Sequence, residues 1–136
     1  MYLLDTNTVS YLVKGRSPAA RSRMEQVRDH HTITISSVTE AEIQYGLVKR
    51  PSFAFTAAIE EFLTTVQILP WSSQEAAAYA TLRLKMEQVG KVLGSMDMLI
   101  AAHALSRDAV LVTSDRALHS ANHLISVENW ATDLHN

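Results

Sequence analysis

Short apolar runs alternate along the chain with longer stretches of helical periodicity. The runs at residues 2–5, 32–35 and 109–113 are rich in Leu, Ile, Val and Thr, which is typical of buried strands. Weaker strand patterns lie at 67–70 and 124–127. The helical stretches between these runs are 8–14, 18–28, 38–49, 53–66, 74–89, 96–105 and 116–120. Strands that alternate with helices predict an α/β fold, namely a three-layer α/β/α sandwich around a central, mainly parallel sheet.

The composition fits an ordinary globular protein. Hydrophobic residues make up 47% and charged residues 19% of 136 residues, without an internal repeat or a low-complexity linker. We therefore expect a single domain over residues 1–136. The absence of Cys excludes a thiolate nucleophile and Cys-ligated zinc. No apolar segment has the length of a membrane span and the start does not resemble a signal peptide, so we expect a cytoplasmic protein with no membrane contact.

Four acidic residues occupy positions that a parallel sheet brings together. Asp5 and Asp115 follow the runs at 2–5 and 109–113, and Glu42 and Asp97 lie in early turns of helices with apolar faces. Strand ends and the helix starts that follow them gather at one edge of such a sheet, where ligands bind. Each acid also has a simpler interpretation. Asp5 is a good N-cap, Glu42 fits a capping box with Thr39, Asp97 complements a helix dipole, and Asp115 suits a turn or helix start.

Two further expectations concern buried polar groups. Glu42 lies on the apolar side of its helix and should face the sheet, whereas Glu40 should lie closer to solvent. The histidines are assigned no catalytic role, and His103 is interpreted as a core histidine with a satisfied ring nitrogen. The others are His30, His31, His119, His123 and His135.

Four carboxylates in one place require a cation, because their mutual repulsion otherwise raises their pKa values. Oxygen ligands favour a hard ion, so we expect Mg²⁺, with Mn²⁺ as a substitute. Such ions usually serve phosphate chemistry by activating a water and stabilising charge on phosphoryl oxygens. The sequence therefore predicts a metal-dependent phosphodiesterase, with one or two metal ions left open.

The ordered motifs of the chain resemble those of a known family. They are Leu4-Asp5-Thr6-Asn7, the stretch from Ser36-Ser37-Val38-Thr39 through Glu42 to Tyr45-Gly46, the stretch Gly94-x-x-Asp97-x-x-Ile100-Ala101-x-His103-Ala104, and Leu111-Val112-Thr113-x-Asp115. Residues 127–130 resemble a closing strand of the same family. Together, in this order, they are similar to a PIN domain of the VapC toxins from bacterial type II toxin–antitoxin systems.

The resemblance implies an endoribonuclease toxin that requires Mg²⁺ or Mn²⁺, forms a homodimer and is inhibited by a cognate VapB antitoxin. The antitoxin's C-terminal segment would enter the active-site groove. By position, Asp5, Glu42 and Asp97 match the acidic triad, and Asp115 matches a fourth position that is often Asn. Two more positions match supporting residues, namely Thr113 behind the first acid and Asn7 lining the site.

The substrate implied by the resemblance is RNA, since this motif subset is similar to toxins that cut initiator tRNA in its anticodon region. Residues 92–95 depart modestly from the family pattern ahead of Asp97. Lys91 and Arg116 lie near the acids in sequence and are candidate RNA contacts that would position phosphates, although a solvated surface charge is the alternative. The net charge of −2 argues against RNA binding by bulk electrostatics alone.

Two other functions remain open at this point. Haloacid-dehalogenase-type phosphatases also place a nucleophilic Asp after the first strand, as Asp5 is placed, but use an Asp two residues later as general acid. Here that residue is Asn7, which has no carboxyl proton to donate. A non-catalytic interaction module, whose acids serve only an interface, is the second alternative.

Overall fold

The computed structural model describes residues 1–134, in which five strands and seven helices are found. The strands are Tyr2–Leu4 (β1), Ile33–Ser36 (β2), Gln67–Leu69 (β3), Val110–Val112 (β4) and Val127–Glu128 (β5). The helices are Thr6–Val13 (α1), Pro18–Val27 (α2), Ser37–Lys49 (α3), Phe53–Leu63 (α4), Ser73–Gln88 (α5), Ser95–Ser106 (α6) and Arg116–Ser120 (α7). None of these helices combines the length and the apolar character that a membrane span needs.

The strands form one parallel sheet in the order β3-β2-β1-β4-β5. Leu4 of β1 is in register with Val112 of β4, so both strands end at the same level. The backbone N–H of Asp5 extends this pairing by donating to the Val112 carbonyl at 3.0 Å. The carboxyl ends of two adjacent central strands therefore lie side by side, as the sequence predicts.

Both faces of the sheet are covered by helices. Side chains alternate along β1, so that Leu4 packs into a cluster with α1, α2 and α4, whereas Leu3 packs into a second cluster with α5 and α6. Ile59 of α4 and Met86 of α5 are almost fully buried in the two clusters. The three-layer α/β/α prediction is confirmed.

The observed boundaries differ from the predicted ones mainly at three elements. Helix α1 begins at Thr6 rather than residue 8, because Asp5 caps it, and α4 ends at Leu63 rather than residue 66. The last strand is Val127–Glu128, so its prediction at 124–127 is wrong. Leu124 instead continues a turn, in which its N–H donates to the Ala121 carbonyl at 2.9 Å. His135 lies outside the described residues.

A fully buried carboxylate, which the sequence analysis did not single out, lies at the start of α5. Glu75 accepts hydrogen bonds from the backbone N–H and the hydroxyl of Ser72, both at 2.9 Å, and from the Ser106 hydroxyl at 2.7 Å. Arg107 Nε lies 3.5 Å from its second oxygen. Burial alone would raise the pKa of Glu75, but the hydrogen bonds from Ser106 and Ser72 outweigh it and lower the pKa from 4.5 to about 2.

Glu75 should make folding stability depend on pH in the acid range. Because its pKa is lowered in the folded protein, its contribution is complete above pH 4.5 and is lost as the pH falls towards about 2. We expect Glu75→Gln to lose about 2 kcal/mol at pH 7 and to show a shallower decline of unfolding free energy over this range. Urea titrations at several pH values measure both effects. Equal slopes for the variant and the wild type would contradict the assignment.

Candidate active site

Asp5 is both a helix cap and a strand-end acid. Its Oδ1 accepts from the backbone N–H of Thr8 at 2.8 Å, which makes Asp5 the N-cap of α1. Burial raises the pKa of Asp5, and the charge of Asp115 adds to this, although hydrogen bonds from Thr113 and Thr8 act in the opposite direction. The capping interpretation is therefore correct for Asp5, but it does not account for the nearby negative charge.

Asp115 repeats this arrangement one strand away. It follows β4, and its Oδ1 accepts from the Leu118 N–H at 3.1 Å as the N-cap of α7. The backbone N–H of Asp115 donates to the Thr113 hydroxyl oxygen at 3.0 Å, and the Thr113 side chain also hydrogen-bonds to Asp5. Thr113 is 1% exposed, so it holds the two acids from within the core. Thr113 therefore lies behind Asp5, as the resemblance implies.

Glu42 reaches the same region from α3. Its Oε1 accepts from the Thr6 hydroxyl at 2.6 Å, and Thr6 lies 3.3 Å from the buried Thr39 hydroxyl. Ser36 caps α3, so a capping box of Thr39 with Glu42 does not explain this acid. Glu42 and Glu40 are both half-buried, so the expected contrast between a sheet-facing and a solvent-facing glutamate is not seen.

Asp97 lies in the first turn of α6 and is exposed to solvent. Its pKa is raised by desolvation and then by the charges of Asp115, Asp5 and Glu42, in that order. All three other acids therefore act on Asp97, which shows that the structure brings the four carboxylates into one electrostatic neighbourhood.

The donor set has the chemistry of a hard-cation site. Every candidate ligand is a carboxylate, and a bound cation would offset the burial and the neighbouring negative charges that raise the pKa values of Asp5 and Asp97. As the side chains stand, no three His, Cys, Asp or Glu residues within 1–134 are grouped closely enough to hold an ion. The carboxylate oxygens and negative charge of the four acids suit a divalent cation, but the side chains would have to move closer together to coordinate it.

The remaining predicted site residues lie around this acidic edge or away from it. Asn7 is exposed in the first turn of α1, and Arg116 is exposed directly after Asp115. Lys91 is half-buried and lines a separate pocket of about 150 Å³ with Tyr79 and Ser95, between α5 and the start of α6. Their contacts with a substrate stay predictions.

Sequence reasoning missed Thr6, the hydroxyl that holds Glu42, and only partly described His103. His103 is fully buried, as expected, and its Nδ1 lies 2.8 Å from the Ser36 hydroxyl oxygen. Its Nε2 makes no hydrogen bond within residues 1–134 and lies 3.8 Å from Glu75 Oε1. The sequence shows that the Thr6 hydroxyl directly follows Asp5, but it could not show that Thr6 contacts Glu42, which lies 36 residues later.

Comparison with known proteins identifies relatives along nearly the whole chain. The family model described as PIN domain matches residues 2–124. A protein named Ribonuclease VapC2 from Rickettsia felis is 32% identical over 131 residues, which cover 96% of this chain and 98% of the relative. A protein named tRNA(fMet)-specific endonuclease VapC from Salmonella typhimurium is 29% identical and covers 95% and 97% of the two chains.

A solved structure agrees with these sequence matches. It is described as VapBC2 from Rickettsia felis bound to a DNA fragment from their promoter, and one of its chains superposes with a TM-score of 0.86 at 32% identity. The match covers 95% of this chain and 98% of that one. The chain therefore belongs to the PIN-domain family, among its VapC proteins.

Proposed function

We propose that this protein is the endoribonuclease toxin of a VapBC-type toxin–antitoxin pair and that it hydrolyses RNA phosphodiester bonds with the help of a divalent metal. The observation that carries the proposal is that the charges of Asp5, Glu42 and Asp115 all act on Asp97 near the carboxyl edge of the sheet. Membership of the PIN family and relatives that are named ribonucleases support RNA as the substrate.

The metal would be held by the four acids Asp5, Glu42, Asp97 and Asp115. Mg²⁺, or Mn²⁺ in its place, supplies a coordinated water of lowered pKa and stabilises negative charge on the phosphoryl oxygens. The donor set favours these ions because it contains only carboxylate oxygens.

The chain's own residues prepare this site by fixing the acids. Thr113 and the Thr8 N–H hold Asp5, and Thr6 holds Glu42 at 2.6 Å. A carboxylate has about four acceptor positions, so these hydrogen bonds restrict orientation without consuming all the ligand capacity. In this arrangement Asp5 serves as a ligand rather than as a nucleophile.

The two alternative functions receive less support. The chain belongs to the PIN family, whereas the phosphatase interpretation relied on Asp5 alone and lacks a general acid at Asn7. Raised pKa values, such as those of Asp97 and Asp5, cluster at functional sites, which favours a catalytic or metal site over a non-catalytic module.

We propose a VapB-type antitoxin as partner because the solved relative is a VapBC complex. A recess of about 180 Å³ opens beside Glu42 and is lined by Val9, Ile43 and Phe55 of α1, α3 and α4. A peptide segment seated there would lie against Glu42 and block access to the acids. The proposed homodimer follows from the resemblance, and the proposed cytoplasmic location rests on the sequence-based expectation of no signal peptide and no membrane-length apolar segment.

We propose that the RNA substrate is initiator tRNA. The support is the Salmonella relative named for tRNA(fMet), at 29% identity, and the motif subset quoted above.

The Asp5→Asn variant tests whether the charge of Asp5 lowers the free energy of unfolding of the metal-free protein. Because the pKa of Asp5 is raised in the fold, its ionised form opposes folding at pH 7, and Asn still caps α1. We expect the metal-free variant to be at least as stable as the wild type. With Mn²⁺ at 100 times Kd, the wild type should gain about 2.7 kcal/mol and the variant much less. Denaturant titrations with and without Mn²⁺ measure this.

Asp133→Asn is the matched control for that experiment. Asp133 accepts from Ser17 Oγ at 2.6 Å and from the Ala19 N–H at 3.1 Å, and these bonds lower its pKa. The same chemical change should therefore destabilise the protein here and leave the Mn²⁺ response intact. An Asp5→Asn protein that is less stable than Asp133→Asn yet fully stabilised by Mn²⁺ would contradict the assignment.

RNA cleavage should depend on Glu42 and not on Glu40. Glu42→Gln removes a proposed ligand, and we expect the cleavage rate at limiting Mg²⁺ to fall by at least the roughly 10-fold to 100-fold that loss of an outer-shell partner typically costs. Glu40→Gln makes the same change two residues away, at an equally half-buried position, and should retain activity. Initial rates on a labelled RNA give the comparison. A wild-type protein without metal-dependent cleavage or stabilisation would instead identify a non-catalytic module.

Cleavage of purified tRNAs tests the substrate. We expect initiator tRNA to be cut within its anticodon region in preference to elongator methionine tRNA, and sequencing of the new RNA ends locates the cut. Equal cleavage of both tRNAs, or cutting outside the anticodon region, would contradict the substrate while leaving RNA hydrolysis in place.

A further inference from the structure

A polar bridge joins the two helices that carry Glu42 and Asp97. Helix α6 bears Asp97 in its first turn and His103 further along, and α3 begins at its N-cap Ser36. His103 Nδ1 lies 2.8 Å from Ser36 Oγ, and both residues are fully buried. The bridge therefore fixes α6 directly against the start of α3.

The direction of this hydrogen bond follows from the other partners of each group. Ser36 Oγ accepts from the Val38 N–H at 3.0 Å and retains a hydroxyl proton that it can donate to His103 Nδ1, and the position of Glu75 beside Nε2 favours this direction. The ring proton then lies on Nε2, which faces the Glu75 carboxylate at 3.8 Å. The reverse tautomer would direct a lone pair towards that carboxylate. The neutral Nε2–H form satisfies Nδ1 and turns the Nε2 proton towards the Glu75 carboxylate, with which it makes an electrostatic contact but no hydrogen bond.

Two further contacts hold α6 in the same position. Glu75 accepts from the Ser106 hydroxyl at the end of α6 at 2.7 Å, and thereby ties that end to α5. Trp71 bridges α3 and α6 as well, since its backbone N–H donates to Ser37 Oγ at 3.0 Å and its Nε1–H donates to the Leu99 carbonyl at 2.9 Å. The relative placement of α3 and α6 is thus set by buried polar contacts in addition to apolar packing.

We propose that His103 is a positioning residue for the acidic site, because its bond to Ser36 fixes the separation of α3 and α6 and hence that of Glu42 and Asp97. This inference rests on the proposed function, since it takes these acids to hold a divalent cation. Misplacing a ligand-bearing helix should weaken metal binding as loss of an outer-shell hydrogen bond does, by about 10-fold to 100-fold.

Titration calorimetry of the full chain with Mn²⁺ tests the proposal. We expect His103→Leu, which fills the space without polar atoms, to raise the Mn²⁺ Kd by about 10-fold or more. His103→Asn places an amide near the Nδ1 position and should restore most of the affinity. Cleavage by His103→Leu should recover towards the wild-type rate at saturating Mn²⁺, so that the metal requirement changes more than kcat.

Leu82→Ala provides the structural control. Leu82 is 1% exposed in the same core cluster as α6, and its truncation destabilises the fold by a cavity without altering the bridge. Its Mn²⁺ Kd should equal that of the wild type. Unchanged Mn²⁺ affinity in His103→Leu, or an equal loss in Leu82→Ala, would overturn the positioning role.

Substitutions at Ser36 keep the proposal testable if His103→Leu does not fold. Ser36→Ala removes the bridge and should weaken Mn²⁺ binding, whereas Ser36→Thr retains a hydroxyl and should preserve it. Equal affinities in these two variants would contradict the role of the bridge. A wild-type protein that binds no Mn²⁺ and cuts no RNA would overturn the proposed function itself, and this result is distinct from all of the above.

Discussion

Repulsion among Asp5, Glu42, Asp97 and Asp115 is the interaction around which the rest of the structure is arranged. Desolvation raises the pKa of Asp97 most, and the charges of the other three acids raise it further. A flexible chain would separate these groups, but a parallel sheet with β1 and β4 in register brings two of them to one edge. Helices α3 and α6 add the others. The packing of both faces of the sheet therefore opposes the electrostatic repulsion at its edge.

Structural and functional interpretations of the acids are compatible. Asp5 and Asp115 each cap a helix through one oxygen, and each lies within the field of other carboxylates. A carboxylate has two oxygens and about four acceptor positions, so a cap leaves room for a further ligand. Capping also fixes the side-chain rotamer. The simpler interpretation of these residues thus becomes a means of preorganising the proposed site.

The fold and the approximate position of the acids could be predicted from the sequence, because both depend on local patterns and on the rules of parallel sheets. Contacts between residues that are far apart in the sequence could not be predicted. Ser72 and Glu75 form a capping box that is visible in the sequence, but the burial of Glu75 depends on Ser106, 31 residues later. Leu124 misled the strand prediction because apolar residues that pack as a turn have the same composition as a strand.

The order of the strands also bears on when the protein becomes active during its own synthesis. Strand β1 is made first, yet it is central and pairs with β4 at residues 110–112. Such non-local pairing delays folding until most of the chain is available. Asp115 follows β4, so the fourth acid is the last to emerge from the ribosome. A nascent chain that ends before residue 115 therefore lacks one of the four acids of the proposed site, so the site can assemble only when synthesis is nearly finished.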